Sequence, residues 1–337
     1  MVADHQVVRR QTGIVWRITA LAAALCAGIG AAQAQTYPSR PITIVVPFPA
    51  GGSTGVLARI LLEPMQAVLG QTIVIENMGG GGGSIGAGRV ARAAPDGYTV
   101  SLSHLQTHVI NGATLNLPYD VVKDFEPVAL IADTPQMVVT RGNFPADDLK
   151  GMIAWLKANP DKATQGAVGV GGPGDIAAYQ FQKATGTSFQ TVPYRGGAPL
   201  LQDIVAGQID INIGQAATYI GAVRNGQLKA MAMLSKERWW GAPEIPNMDE
   251  AGLPGLYYTF WHGMWLPKGT PKEIVAKLNA AVVAALADPQ VQKRFNDTGQ
   301  SIWPREQQTP EALARFQQAE IEKWWPIIKA AGIKVPQ

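Results

Sequence analysis

Cysteine is nearly missing from this chain: its 337 residues hold one, Cys26. That residue lies in an N-terminal stretch that reads as a leader. The rest of the chain therefore has no disulfide, no thiolate nucleophile and no cysteine-based metal site. Histidine is scarce too, with four in all, and only His104, His108 and His262 lie beyond the leader. Charge is thin and balanced, at 28 Lys plus Arg against 25 Asp plus Glu. The leader holds three of the arginines and one aspartate, leaving 25 basic and 24 acidic residues, too even for a basic face that binds nucleic acid. No glycine loop ends in G-K-[ST], which removes the nucleotide P-loop, and no internal repeat of fixed period occurs.

The leader has the order of a secretory signal: Arg9, Arg10 and Arg17, then the apolar, small-residue stretch Ile18 to Ala32, then Ala32-Gln33-Ala34 as a small-x-small cleavage site. Residues 1–34 are expected to be a signal peptide, with a mature chain starting at Gln35 in the periplasm. The apolar stretch is short for a bilayer span. Gln-Thr-Gly-Ile after the arginine pair is a poor twin-arginine match, and Leu25 stands where a lipoprotein signal needs a small residue. The remaining chain, nearly half apolar, is long enough for two cores.

Two glycine-rich loops stand out, each between an apolar run and a helical pattern: Ile42 to Met65 (ITIVVPFPAGGSTGVLARILLEPM) and Thr72 to Ala94 (TIVIENMGGGGGSIGAGRVARAA). Short apolar runs read as buried parallel strands, and the apolar positions after Gly55 recur at helical spacing. Glycine lets backbone N–H groups converge and a helix N-terminus adds partial positive charge, so two such loops make a site for a small anion. A third loop, Gly169 to Gly174, precedes a helix for which Asp175 is the expected N-cap.

Strands and helices alternate along the chain, which argues for parallel sheets. Expected strands are Tyr98 to Leu102, one or two within Pro127 to Thr140, Gln165 to Val168, Phe189 to Tyr194, Gln208 to Ile213, Leu228 to Leu234 and Phe260 to Leu266. Expected helices include Asp147 to Ala158, Leu200 to Ala206, Ala217 to Asn225, one long helix Pro271 to Phe295, and Pro310 to Ala331. Trp155, Trp261, Trp265, Trp324 and Trp325 are expected in the core. Trp239 and Trp240, in a proline-rich connection, could touch a ligand or the opposite lobe. His104 and His108 are expected in a loop, with no third partner for a metal.

Two motifs invite other functions. Gly51-Gly52-Ser53-Thr54-Gly55 fits the G-x-S-x-G elbow of an exported serine hydrolase using Ser53, and His262 is the one histidine late enough for its base. An anion nest explains the same loop and also accounts for the second. Gly81 to Gly86 contains G-x-G-x-x-G, but the acid a dinucleotide fold needs about twenty residues on is replaced by Ser101, Ser103 and His104.

Taken in order, several segments resemble the substrate-binding proteins of tripartite tricarboxylate transporters, the Bug family. They are Tyr37 to Phe48, Pro49-Ala-Gly-Gly-Ser-Thr, Glu76-Asn77 before the glycine tract with Ser84-Ile85-Gly86, and Ala94-Pro-Asp-Gly-Tyr-Thr. Leu117-Pro-Tyr-Asp, Lys123-Asp-Phe-Glu-Pro-Val, Val192-Pro-Tyr-Arg-Gly-Gly, Gly207-Gln-Ile-Asp, Glu250-Ala-Gly-Leu-Pro-Gly and Pro267-Lys-Gly-Thr-Pro follow. The resemblance covers essentially the whole chain after the leader.

The resemblance implies an α/β, two-lobed periplasmic-binding fold of type II, each lobe a mainly parallel sheet flanked by helices. Lobe 1 is expected over 36–138 plus 257–337 and lobe 2 over 139–256, with hinges near Val138 and Gly255. It further implies a non-enzymatic, cofactor-free and metal-free receptor, expected as a monomer. Such a receptor captures a small organic acid and delivers it to the membrane permease subunits of a transporter, or presents it to a signalling partner. Residue by residue, it implies a carboxylate held by Phe48, Ala50, Gly51, Gly52, Ser53 and Thr54 with Gly82, Gly83 and Ser84. His104 and Thr107 would stand nearby, and Gly172, Gly174, Asp175 and Tyr194 would come from the other lobe. Gly55, Gly214 and Asp175 depart from the family pattern, so the distal specificity is expected to differ.

Overall fold

A computed structural model describes residues 37–169 and 171–333. The expected signal peptide lies outside the described residues. In chain order the elements are β1 (Ile42–Val46), α1 (Ser53–Leu69), β2 (Ile73–Asn77), α2 (Ser84–Ala91), β3 (Thr99–His104), α3 (Asn111–Thr114) and β4 (Phe125–Arg141). Next come α4 (Leu149–Ala158), β5 (Thr164–Val168), α5 (Pro173–Thr185), β6 (Gln190–Tyr194), α6 (Gly197–Val205), β7 (Ile211–Gln215), α7 (Ala216–Arg224) and β8 (Leu228–Met233). The chain closes with β9 (Thr259–Pro267), α8 (Lys272–Ala287), α9 (Pro289–Asp297), β10 (Ser301–Ile302) and α10 (Pro310–Ala330).

The strand order β2-β1-β3-β9-β4-β7-β5-β6 joins two parallel blocks through two antiparallel strands, β9 and β4. Around β1 the neighbours β2 and β3 run parallel, as do β6 and β7 around β5. The region expected to hold one or two strands is a single 17-residue strand, β4. It pairs antiparallel with β9 as far as Pro135, opposite Thr259, and from Gln136 onward with β7. One strand therefore changes partners between residues 135 and 136, which is the structural basis of a two-lobed α/β fold.

The sequence explains the other elements. Asp148 caps α4, its side chain accepting from the Gly151 N–H at 2.6 Å, as acids at a helix start should. The helix expected over Pro271 to Phe295 is instead two, bent by 73° at Asp288. Pro289 holds Asp288 in extended backbone (ψ 126°), and Asp288 then caps α9. No single helix among the described residues is long and apolar enough to cross a membrane.

The last helix docks through polar atoms as well as apolar ones. Trp261 and Trp324 are fully buried, and both indole N–H groups donate to Glu320 Oε2, at 3.1 and 2.9 Å. Trp265 donates to Gln317 Oε1 at 3.1 Å. Three buried indoles thus find acceptors on α10, as buried N–H donors must. Trp325, expected in the core, is a third exposed and donates to the Val109 carbonyl from the surface. Trp155 is partly buried against the core. Trp239 is buried, whereas Trp240 is exposed and its N–H donates to Ser301 Oγ at 2.8 Å.

Candidate functional site

A cavity of about 650 Å³ lies where the loops after β1, β3, β5 and β6 converge with the end of β7. This is the carboxyl-end crevice where open α/β sheets bind ligands. Its first wall is the loop after β1: Phe48, Ala50, Gly51, Gly52, Ser53 and Thr54 all line it. The loop ends in the N-terminus of α1. Gly52 is the N-cap, no side chain caps it, and no acid stands in the first turn. The first helical bond runs from Val56 N–H to the Gly52 carbonyl, leaving the N–H groups of Ser53, Thr54 and Gly55 without helical partners, the first two of them in residues that line the cavity. Such an end attracts anions.

His104 forms the wall beside this loop, stacked on Phe48 with ring centroids 4.1 Å apart and planes 15° apart. Its Nδ1 accepts from the Gln106 N–H at 3.2 Å, so the neutral ring carries its proton on Nε2. Burial, then the nearby His262 and His108, hold His104 well below the usual histidine range. The wall is thus a neutral hydrogen-bond donor.

His262 bears on the hydrolase alternative. Its Nε2 lies 3.2 Å from Thr54 Oγ1, and its buried Nδ1 has no partner among the described residues. Burial lowers its pKa to about 3. Among the described residues no hydrogen bond joins Ser53 to a histidine and no acid orients His262, so the Ser–His–acid relay is not assembled.

The second glycine loop serves the first. Gly80, Gly81, Gly82 and Gly83 all have positive φ (124°, 54°, 61° and 88°), a run that side chains rarely adopt. A Cβ on Gly83 would stand 2.6 Å from Thr107 Cγ2 and 2.9 Å from the Phe48 ring, so this loop packs directly behind Phe48. Gly82, Gly83 and Ser84 do not line the cavity. Thr107 does not either. It sits in a buried π-helical turn, Gln106–Ile110, and its hydroxyl bonds Ser103 and the His104 carbonyl at 3.0 Å; the loop expected for His104 and His108 is instead the end of β3 and this same turn. Its neighbour Gln106 faces the cavity instead.

On the opposite wall Gly174 lines the cavity, while Gly172, Asp175 and Tyr194 do not. The N-cap of α5 is Gly172 rather than Asp175. Asp175 stands in the first turn and reaches back, accepting from the Gly171 N–H at 2.6 Å. Burial raises its pKa and the Gly171 and Gly172 N–H groups oppose that rise. Tyr194 donates to Asp203 Oδ2 at 2.6 Å, leaving the adjacent Arg195 at the cavity. Asn212, Thr218, Tyr219 and Gln300 complete this wall. The sequence signal for them was faint: polar residues scattered over a strand, a helix and a short loop, as in Ile211-Asn212-Ile213-Gly214.

The chain matches the model of the tripartite tricarboxylate transporter family receptor (TctC) over residues 57–333. It is 35% identical to the BugT protein of Bordetella pertussis over 312 residues, covering 92% of this chain and 95% of BugT. Among solved structures, MatC from Rhodopseudomonas palustris with bound malate is 38% identical, with a TM-score of 0.82, covering 87% of this chain and all of that one. Rpa4515 of R. palustris, solved with adipate, is 30% identical, with a TM-score of 0.83, covering 89% of this chain and all of that one. With the fold, the crevice and these matches in agreement, the chain belongs to the tripartite tricarboxylate transporter receptor family, as its sequence motifs imply.

Proposed function

We propose that this protein is a periplasmic receptor that captures a small organic carboxylate and hands it to the permease subunits of a tripartite tricarboxylate-type transporter. The observation that carries the reading is the uncapped N-terminus of α1 opening on the cavity beside a neutral His104. Three N–H groups without helical partners, the Ser53 hydroxyl and the His104 Nε2–H can all donate to a carboxylate, and hydrogen bonds to a charged group are roughly twice as strong as neutral ones. The carboxylates bound by MatC and Rpa4515 support the same ligand class.

In this reading Phe48, Ala50, Gly51, Gly52, Ser53 and Thr54 hold the head group. Gly82, Gly83, Ser84 and Thr107 keep Phe48 and His104 in place behind it. Gly174, with Gly172, Asp175 and Tyr194 supporting their loops, belongs to the facing lobe. The lobes are 36–138 plus 257–337 and 139–256, and the partner change of β4 supports a hinge at that crossing. The receptor acts as a monomer, exported by its leader, and binds without turning its ligand over.

Titration calorimetry against a panel of organic acids tests the reading. The expected result is binding by carboxylates that Ser53→Ala weakens without producing any hydrolysis. Ester turnover that Ser53→Ala abolishes would replace the receptor by a hydrolase.

A further inference from the structure

Trp239 and Trp240 do not line the cavity, and the receptor reading leaves them without a task. In the lobe division proposed above both belong to lobe 2. Trp239 lies in one buried cluster with Leu200 and Ile204 of α6 and Ala222 of α7. Arg224, which ends α7, donates to the Gly241 carbonyl just beyond the pair. The turn that carries the two tryptophans is therefore fixed to α6 and α7.

Both tryptophans reach residues of lobe 1. The Trp240 N–H donates to Ser301 Oγ at 2.8 Å, across 61 positions of sequence. Ser301 opens β10 and pairs with β4 opposite Asp133, on the lobe 1 side of the partner change at 135 and 136. Trp239 fits over Gly299, where a Cβ would stand 2.7 Å from Cζ2 of the ring and 3.3 Å from the Ala217 Cα. Gly299 also has a φ of 71°, so glycine serves there both for space and for conformation. The Trp239 N–H is buried with no partner among the described residues, so this ring is held by shape and the directional bond is that of Trp240. The segment they meet is also cavity wall: Asp297, Thr298 and Gln300 line the cavity together with Ala217 and Thr218 of lobe 2. Lobe 1 fixes that segment, since the Gln300 N–H donates to the Phe295 carbonyl at 3.0 Å and Thr298 Oγ1 to the same carbonyl at 2.9 Å. One fixed loop thus borders the ligand space and carries the contacts to Trp239 and Trp240.

We infer that Trp240 and Ser301 form a latch between the lobes, seated on the fit of Trp239 over Gly299, that positions the 297–301 loop against lobe 2 and holds the receptor closed on its ligand. The inference rests on the receptor reading above and on its lobe boundaries. Rotation of one lobe against the other draws a donor fixed to lobe 2 away from an acceptor fixed to lobe 1. The bond therefore favours the closed state, and apparent affinity scales with the fraction of the protein that is competent to bind. Because the ligand enters before the latch forms, loss of the latch is read in the dissociation rate.

The test is calorimetry and stopped-flow tryptophan fluorescence on the purified protein, with succinate, malate, adipate and simple monocarboxylates as probes. Trp240→Phe keeps a ring and removes the N–H, and Ser301→Ala removes the acceptor. Each is expected to raise the dissociation rate of the tightest probe about two- to tenfold, the range of one hydrogen bond. The association rate should stay within about twofold of the wild type. The double variant should match the single ones, because all three lack the same bond. Ser301→Thr, which keeps a hydroxyl, should recover most of the wild-type rate. Trp240 is half exposed, so the urea midpoint of Trp240→Phe should hardly move, which separates a latch from a general loss of packing. Wild-type dissociation rates in both single variants, or effects that simply add in the double variant, overturn the latch and leave the receptor standing. Failure of every probe to bind the wild type overturns the receptor reading and the latch with it.

Discussion

His262 Nε2 lies 3.2 Å from Thr54 Oγ1, a hydrogen bond between two buried side chains 208 positions apart. It ties the first turn of α1, where the carboxylate is expected, to the antiparallel strand β9. Whichever atom donates, the Nδ1 of His262 is already without a partner among the described residues. Breaking the bond leaves both ring nitrogens buried and unpaired. Thr54→Val, close in shape, should cost about 1–3 kcal/mol of stability by urea unfolding. Ser53→Ala, which breaks no hydrogen bond among the described residues, should stay within about 0.5 kcal/mol while weakening carboxylate binding.

Acid should unfold this protein through its histidines. Burial holds His108 and His262 at about 3, against an ordinary value of 6.5. Below about 6.5 the unfolded chain binds a proton at each, whereas the folded chain stays neutral until about 3. Stability present above 6.5 is therefore lost as pH falls through that window, at about 1.4 kcal/mol per pH unit for each histidine. By pH 5 each has removed about 2 kcal/mol, and His104 acts in the same direction. His108 stacks on Trp265 at 3.7 Å, with the Val121 backbone opposing the effect of burial on its ring, and neither ring nitrogen has a hydrogen-bond partner within normal geometry among the described residues, so His108→Phe keeps the packing. Urea unfolding at pH 7, 6 and 5 should show a shallower pH slope in that variant, and an unchanged slope would contradict the assignment.

Gly83→Ala should disable the head-group loop from behind. The new methyl would meet Thr107 Cγ2 at 2.6 Å and the Phe48 ring at 2.9 Å, from a backbone with φ of 88°. Left-handed strain alone costs about 1–3 kcal/mol, and the clash pushes Phe48 off His104. Carboxylate affinity should fall together with thermal stability. A variant that loses stability but keeps its affinity would show that the Phe48–His104 stack is not needed for binding.

The sequence made the first wall easy to read and the second hard, for a physical reason. The stretch from Ile42 to Thr54 is a strand, a glycine turn and a helix start in one unbroken segment, so local pattern alone places its donors together. The same holds for the helix start at Asp147-Asp148, although Asp148 proves to be its cap rather than a first-turn acid. The break at Asp288-Pro289 was written in the sequence as well, but the apolar periodicity on both sides ran through it. Arg195, Asn212, Thr218 and Tyr219 come instead from a loop, a strand and a helix that meet only when β5, β6 and β7 pair. None lies in a motif whose chemistry is visible alone. The N-cap of α5 was placed three residues late because Gly172, with its extended φ and ψ, provides the cap geometry without a side chain.

Gly214 gives the sharpest test of that second wall. Its backbone is not left-handed, so alanine is permitted there by conformation and excluded only by space. The added Cβ would lie 2.3 Å from Asn212 Oδ1 and 2.7 Å from Tyr219 Cε2. Overpacking of this kind costs about 1–3 kcal/mol. Asn212 is held by its amide N–H on the Gly166 carbonyl at 2.5 Å, whereas the Tyr219 hydroxyl is held by nothing among the described residues, so Tyr219 is the group that moves. Gly214→Ala should therefore weaken carboxylate binding along with stability, measured by calorimetry and urea unfolding. Tyr219→Leu removes the ring edge that the methyl meets, so the two substitutions together should cost less stability than their separate effects added. That non-additivity is the signature of direct contact. Additive costs would mean that the methyl strains Asn212 and the strand instead, and carboxylate affinity would then survive Gly214→Ala.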